Sequence, residues 1–232
     1  MENLRTHLEM CDAALQVSFN ILRNTKPNTT TFADSLPVNC SKYQHLNHPV
    51  TARSRVVNHS KARNTEYAVI STHTHFSEYL HAILTEMYNH KPMLVIQKAV
   101  GQQTLKFAEI VKLKTYPSVA QEMIDRVFRS LENERSTMKL FDKIIAKTNA
   151  NIPATTKTNA LAHLEMRHLF IHRSGVVDTF FASKYGKRFS VKKGDKLPTQ
   201  FKIADDAIKT TTKLCETTDQ QLLANNFLKP IV

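Results

Sequence analysis

Residues 161–175 read LAHLEMRHLFIHRSG, a stretch in which an apolar stripe and several ionisable side chains share one segment. The apolar residues recur at steps of three and four, which is the spacing of one face of an α-helix. They are Ala162, Met166, Leu169 and Phe170. Gly175 follows the stripe, and glycine commonly ends a helix. The stretch therefore predicts an amphipathic helix over 159–173 with arginine and histidine at the edge of its buried face.

The same helical spacing recurs along most of the chain. Apolar residues repeat every three or four positions in further segments, and prolines interrupt the pattern between them. The segments are 4–22, 66–90, 93–116, 118–131, 138–145 and 205–228, the fourth of which is opened by a capping-box match of Ser118 with Gln121. The sequence therefore predicts an all-α fold, a helical bundle of about five to seven helices.

Two stretches lack this pattern. Residues 28–65 are polar, rich in Asn, Thr, Ser and His, and broken by prolines, which predicts a long loop near the N-terminus. The second stretch follows residues 176–181, which are predicted to begin a short helix. It precedes the last helix and contains Gly186 and Gly194, which predicts a basic turn or hairpin. We accordingly divide the chain into residues 1–65, an N-terminal helix with the long basic loop, and residues 66–232, the helical bundle.

Composition disfavours several classes of protein. The chain has 232 residues but only four glycines, and Rossmann folds, P-loops, β-sandwiches and barrels need glycine at tight turns. No apolar run approaches the roughly 18 residues of a membrane span, and residues 1–10 hold no apolar signal core. We therefore expect a soluble, cytoplasmic protein without membrane contact.

Cys11, Cys40 and Cys215 lie far apart without a C-x-x-C pair, which predicts free thiols and neither a disulfide framework nor a zinc site.

Positive charge is concentrated in two segments. The formal net charge is +12, and eleven of these charges fall within residues 39–63 and 184–202. Lysine and arginine interleaved with aromatic residues are typical of a surface that binds a phosphate backbone, with a solvated loop as the alternative. The candidate RNA-binding residues are Arg53, Arg55, Arg173, Lys184, Lys187, Arg188, Lys192 and Lys193.

The stretch quoted first resembles a known family. The run RHLFIH, from Arg167 to His172, matches the R-x4-H form of the R-x(4–6)-H motif of HEPN domains. The tail RSGVVD over residues 173–178 resembles the RiboL-PSP-HEPN branch of that family. The resemblance covers roughly residues 66–227 and does not extend to the first 65 residues. It implies a HEPN-like helical bundle.

A second match to the bare motif is Arg53 with His59, at a spacing of R-x5-H. This match lies in the predicted polar loop, where no apolar stripe holds it. Because a short motif is informative only in its structural context, the sequence favours Arg167 and His172.

The resemblance implies a metal-independent endoribonuclease, without a cofactor, whose active site forms where two motif helices meet in a homodimer. The RNA 2′-OH attacks the adjacent phosphorus and leaves a 2′,3′-cyclic phosphate. His172 is the candidate acid–base group, because histidine exchanges protons near neutral pH. Arg167 is the candidate donor to the non-bridging oxygens, for which a guanidinium is well shaped.

Other positions of the motif are less determined. His168 stands where the family often has Asn or another polar residue, and substrate positioning, proton transfer and a place in the dimer seam all stay open for it. Ser174 stands where some HEPN toxins carry a tyrosine that a partner enzyme modifies, so silencing by that route is not expected. The family further implies a toxin or antiviral defence effector, with RNA and an antitoxin or regulatory protein as partners.

Two other interpretations stay open from the residues themselves. Arg167 and His172 are also compatible with a non-catalytic RNA-binding or adaptor scaffold of HEPN type, because a fold alone does not establish function. His168 and His172 lack a third ligand at fitting spacing, so no metal site is expected. A DNA-binding protein is disfavoured, because no helix with a basic face has the partner helix of a helix-turn-helix motif.

Overall fold

A computed structural model describes residues 1–26, 30–37, 42–90, 105–132 and 137–229. These residues form α-helices and two short 3-10 helices, with no β-strand among them, so the predicted all-α fold is confirmed. The helices are α1 (Glu2–Asn24), α2 (Phe32–Ser35), α3 (Arg53–His90), α4 (Phe107–Leu113), α5 (Tyr116–Glu132), α6 (Thr137–Thr148), α7 (Ala154–Leu164), α8 (Met166–Arg173), α9 (Thr179–Phe189) and α10 (Phe201–Ala224), and the 3-10 helices are Gln44–Leu46 and Val50–Ala52. None of these described helices combines the length and hydropathy needed to cross a bilayer.

The chain divides into two compact units that interleave along the sequence. Unit 1 comprises Met1–Thr72 and Leu169–Ile208, and unit 2 comprises His73–His168 and Lys209–Val232. The division passes through α3, α8 and α10, each of which contributes to both units. A division of the chain at residues 65 and 66 stays a prediction.

Unit 2 has a core of buried aliphatic and aromatic side chains. The ring of Phe76 in α3 lies 5.7 Å from the ring of Phe141 in α6, measured between centroids. Around this pair are Leu80, Leu84, Ile124, Ile144, Leu161, Leu164, Leu214 and Leu222. At the edge of the core the Tyr79 hydroxyl donates to Asp219 Oδ1 at 2.7 Å. The apolar stripes of the sequence therefore correspond to the buried faces of these helices.

Unit 1 contains two smaller apolar clusters. The first joins α1, α3 and α10 through Leu4, Leu8, Ala68, Ala204 and Ile208. The second joins the end of α1 to α2 through Leu22, Phe32 and Val50. The four-residue α2 is held by a capping box, in which Thr31 and Asp34 exchange side-chain and backbone hydrogen bonds. The N-terminal helix predicted from the stripe over 4–22 is therefore part of a packed unit.

The predicted loop over 28–65 is wrong from Arg53 onward, because α3 begins there. Thr65 is buried, and Lys61 is only partly exposed. Lys61 Nζ lies 3.1 Å from Asp12 Oδ1 and 3.1 Å from Gln16 Oε1, both on α1. Thr65 and Lys61 thus occupy inward positions of the helix, where Lys61 is paired, so apolar periodicity does not reveal this part of α3.

The motif stretch is also divided differently from the prediction. It consists of α7 and α8, which are separated by Glu165, instead of one helix over 159–173. α7 begins at Ala154, directly after Pro153, because proline is well suited to the start of a helix.

α5 begins at Tyr116, so Ser118 lies inside the helix and does not open it as the capping-box match predicted. Residues 93–104 of the segment before it fall outside the described residues.

The basic segment before the last helix is partly helical. Lys184, Lys187 and Arg188 lie in α9, and Gly186 is buried inside that helix instead of forming a turn. Gly194 does lie in a turn, with a φ of +90°, in the left-handed region that glycine tolerates. The predicted basic turn is therefore confined to the residues between α9 and α10.

Candidate functional site

The end of α8 is fixed by a glycine. Ser174 and Gly175 have φ values of 49° and 76°, so the chain turns left-handed directly after the helix. The Gly175 N–H donates to the Leu169 carbonyl at 2.9 Å, which satisfies one of the free carbonyls at the helix end. Gly175 therefore ends the motif helix as predicted. The boundary between the two units falls after His168, so the two ends of α8 are described separately.

Arg167 lies in unit 2 and is partly buried. No hydrogen bond or ion pair to its guanidinium occurs among the described residues. The charge of Arg167 acts on His73 in α3: burial first, and Arg167 second, lower the pKa of His73 from 6.5 to about 4. His73 is therefore neutral at neutral pH and places no second positive charge beside Arg167. The positive charge of Arg167 stays available for an anion.

Two histidines of unit 2 are not among the site residues that the sequence predicts. His73 is one, and a signal for it exists: it follows Val69 by four residues and precedes Phe76 by three, so it lies on the inward face of α3. The other is His163, which is 2% exposed and has its Nδ1 3.0 Å from the Asn159 carbonyl oxygen. His163 is thus a packed histidine with a local partner. His168, a predicted site residue, is partly buried in the same unit.

His172 lies in unit 1 and its side chain is exposed. Arg173 next to it is 55% exposed, and its Nε lies 3.9 Å from Asp178 Oδ2. Asp178 caps α9, because its Oδ1 accepts the Phe181 N–H at 2.8 Å. Both predicted residues at this end of α8 are thus accessible to a ligand in solution.

The turn between α9 and α10 is held against the residues that follow α8. The Val177 N–H donates to the Asp195 carbonyl and the Gly194 N–H donates to the Val177 carbonyl, both at 2.9 Å. The Lys196 ammonium donates to the Ser174 carbonyl at 2.6 Å. These bonds fix the predicted RNA-binding lysines of the turn beside the end of the motif helix, within unit 1.

We call the exposed cations of this part of unit 1 the basic surface: Lys184, Lys187, Arg188, Lys192 and Lys193. Lys184 Nζ lies 5.4 Å from the ring centroid of Phe180 and 5.2 Å from that of Tyr185, and Arg188 lies 5.8 Å from that of Phe189. Within the part of the chain that the structure describes, Lys187, Lys192 and Lys193 form no ion pair with an acid. The basic surface therefore keeps uncompensated charge, as a site for phosphates requires.

Arg53 and Arg55, the other predicted RNA-binding residues, lie at the start of α3. Arg53 Nη1 donates to the Val50 carbonyl at 3.3 Å, and Arg53 Nε is buried without a hydrogen-bond partner among the described residues. Arg55 is exposed. Arg53 with His59 therefore lies on a helix and not in a loop, which corrects the context on which this second motif match was set aside. What separates it from Arg167 is that the Arg53 guanidinium is engaged by the backbone.

Of the described cysteines, Cys215 offers no reactive thiolate. Cys11 and Cys215 are free thiols, whereas Cys40 lies outside the described residues. Burial, together with the nearby Asp219 carboxylate, raises the pKa of Cys215 to about 12, so this thiol stays protonated at neutral pH. In the described ranges no group of three or more His, Cys, Asp or Glu side chains is arranged to hold a metal ion.

No protein-family model, no curated protein and no solved structure matches this chain. The fold and the site themselves define the class: this is an all-α protein with a basic surface beside the end of α8, the helix that carries His172.

Proposed function

We propose that this protein is a metal-independent endoribonuclease of HEPN type that acts as a toxin or antiviral defence effector in the cytoplasm. The observation that carries the proposal is the state of Arg167, a partly buried residue to whose guanidinium no described residue makes a hydrogen bond or ion pair. Burying an arginine without a carboxylate partner is unfavourable, so such a residue is more typical of a site that binds an anion than of a structural contact.

The proposed reaction uses RNA as its own nucleophile. The 2′-OH gives its proton to a histidine, its oxygen bonds to phosphorus, and the bond from phosphorus to the 5′-oxygen breaks. The leaving 5′-oxygen receives a proton, and the other product ends in a 2′,3′-cyclic phosphate. His172, which is exposed, is the proposed proton carrier, and the same histidine of a second copy is the other. One catalytic histidine per chain then suffices, because a homodimer supplies both the group that accepts a proton and the group that donates one.

Arg167 is the proposed donor to the non-bridging oxygens, where charge builds up in the transition state. A guanidinium donates two parallel hydrogen bonds to such oxygens. The basic surface is proposed to hold the neighbouring phosphates. For His168, substrate positioning, proton transfer and a place in the dimer seam all stay open. An antitoxin or regulatory protein is a further proposed partner.

The test is RNA cleavage in EDTA by the wild-type protein, Arg167→Ala and His172→Ala, with His59→Ala as a matched control at an exposed histidine. We expect His172→Ala to lose about 10² to 10⁴ of the rate, as is usual for a general acid–base. Arg167→Ala is expected to lose about 10² to 10³, while His59→Ala cleaves like wild type. The 5′ fragment should end in a cyclic phosphate, and 2′-deoxy substitution at the scissile position should stop cleavage.

Equal activity in all four proteins, or none in the wild type, would refute the ribonuclease. The composite site has its own check, because activity per molecule must fall on dilution once the dimer dissociates. The second candidate, a non-catalytic RNA-binding scaffold, is favoured by Lys187, Lys192 and Lys193, which form no ion pair with the described residues. It predicts salt-sensitive RNA binding that survives His172→Ala, with no cyclic-phosphate product at any protein concentration.

A further inference from the structure

Unit 1 contains an open cleft of about 400 Å³ at the end of α8. Its walls come from three places: the residues directly after the helix, the first turn of α9 and the turn before α10. Arg173, Val176, Asp178, Phe180 and Lys193 are among the residues that line it. Sites for small ligands have volumes of roughly 300 to 1,000 Å³, so one nucleotide fits this space.

The two cations of the cleft have donors to spare. Arg173 faces Asp178 only through Nε, at 3.9 Å, so the remaining guanidinium N–H groups are not used by that ion pair. Lys193 forms no ion pair within the described ranges of the chain. The Asp178 carboxylate is committed to capping α9 and cannot neutralise both cations. An anion with several acceptor oxygens, such as a phosphate diester, complements this arrangement.

The third feature of the cleft is a partly exposed aromatic ring, whose centroid lies 5.4 Å from Lys184 Nζ. Phe180 is 43% exposed although it is a large apolar residue, and it lies in the first turn of α9. The neighbouring valines are partly or fully buried and form an apolar floor. An exposed ring beside cations is the arrangement on which proteins stack an unpaired base while they hold its phosphate. A carboxylate ligand would satisfy the cations but make no use of the ring.

We propose that this cleft binds one unpaired nucleotide of an RNA strand. The base stacks on Phe180, and Arg173 with Lys193 holds the adjacent phosphate. The inference rests on the proposed function in that RNA is the substrate. It adds that the strand is single there, because a paired base offers no free face to the ring.

Binding can be measured without any cleavage. The probe is a labelled hexauridylate with 2′-O-methyl sugars, which lacks the nucleophile, and fluorescence anisotropy gives its affinity. We expect Phe180→Ala to weaken binding about tenfold, from the usual strength of stacking on one aromatic side chain, and Phe180→Tyr to restore it. The matched control is Phe107→Ala, which removes an exposed ring from unit 2 and should change nothing. Lys193→Ala should reduce the salt dependence of binding, whereas Lys213→Ala should not.

Two further arms test the base and the strand. A hexamer of abasic nucleotides should bind wild type and Phe180→Ala equally well, because it has nothing to stack. Uridine 5′-monophosphate should compete weakly, since it engages one subsite of a longer interface. The inference is overturned if Phe180→Ala binds the uridine probe like wild type, or if the mononucleotide competes as well as the hexamer. If Phe180→Ala cleaves RNA like wild type, the nucleotide-binding role of the cleft is refuted but the ribonuclease is not. If the uridine probe binds through Phe180 but the wild type does not cleave RNA, the ribonuclease is refuted but the cleft is not.

Discussion

Replacing Arg167 by methionine is expected to raise the pKa of His73. In the wild type, burial is the larger cause of the lowered pKa of about 4, and the charge of Arg167 is the smaller cause. Methionine keeps most of the apolar stem but removes the charge. The pKa of His73 should therefore rise in Arg167→Met and still stay below 6.5, because the burial is unchanged.

The same shift has a consequence for stability. His73 binds a proton near pH 6.5 in the unfolded chain and only near pH 4 in the folded one. Between these values the unfolded state holds more protons, so the free energy of unfolding falls as the pH falls. The difference amounts to about 3 kcal/mol, fully present above pH 6.5 and lost by about pH 4. Acidification should therefore destabilise the wild type more steeply than Arg167→Met.

The assay is an NMR titration of the imidazole C2–H signals, with the His73 signal assigned by its absence in His73→Gln. His75→Gln provides a matched control, because it removes an exposed histidine from the same helix and should leave the His73 signal unchanged. Urea unfolding at pH 5 and pH 7 gives the stability difference. A wild-type pKa of His73 at or above 6, or a pKa that does not move in Arg167→Met, would refute the reasoning.

Two predictions concern α9. Asp178→Ala removes the acceptor for the Phe181 N–H and should cost about 1 kcal/mol of stability in urea unfolding, whereas Asp178→Asn, which keeps a capping oxygen, should lose less. Equal stability of Asp178→Ala and wild type would contradict the capping role. Gly186→Ala should lower the melting temperature, because a Cβ there would lie 2.7 Å from the Val191 carbonyl oxygen. Alanine normally stabilises a helix relative to glycine, so a rise in the melting temperature would show that this contact relaxes freely.

The helices that apolar stripes predicted are those whose stripes face a core. α1 and the second half of α3 were located because Leu4, Leu8, Phe76 and Leu80 are buried at helical spacing. The first half of α3 was missed because its inward positions include Lys61, which an acid and an amide of α1 satisfy. Periodicity detects burial only where burial is apolar, and pairing across helices is not visible in one sequence.

α9 was predicted only at its start, for a different reason. Its buried positions include Phe181 and Tyr185, four residues apart, and their rings lie 5.3 Å from each other. That signal was present, but the cations Lys184, Lys187 and Arg188 dominated the composition of this segment and, with Gly186, suggested a turn. Charge on the outer face of a helix says nothing about its backbone, and the short apolar face was the more informative feature.

The candidate site shows where the sequence is least informative. The motif nominated Arg167 and His172, whereas the interaction that bears on Arg167 comes from His73, almost a hundred residues earlier in the chain. A neutral histidine is no counter-ion, so folding gains no ionic attraction from this pair, and acidification turns it into a repulsion. A purely structural contact has no need of that liability, since an apolar residue would pack there without it. Arg167→Met should therefore become more resistant to acid while it loses cleavage, a trade-off expected of a residue kept for function.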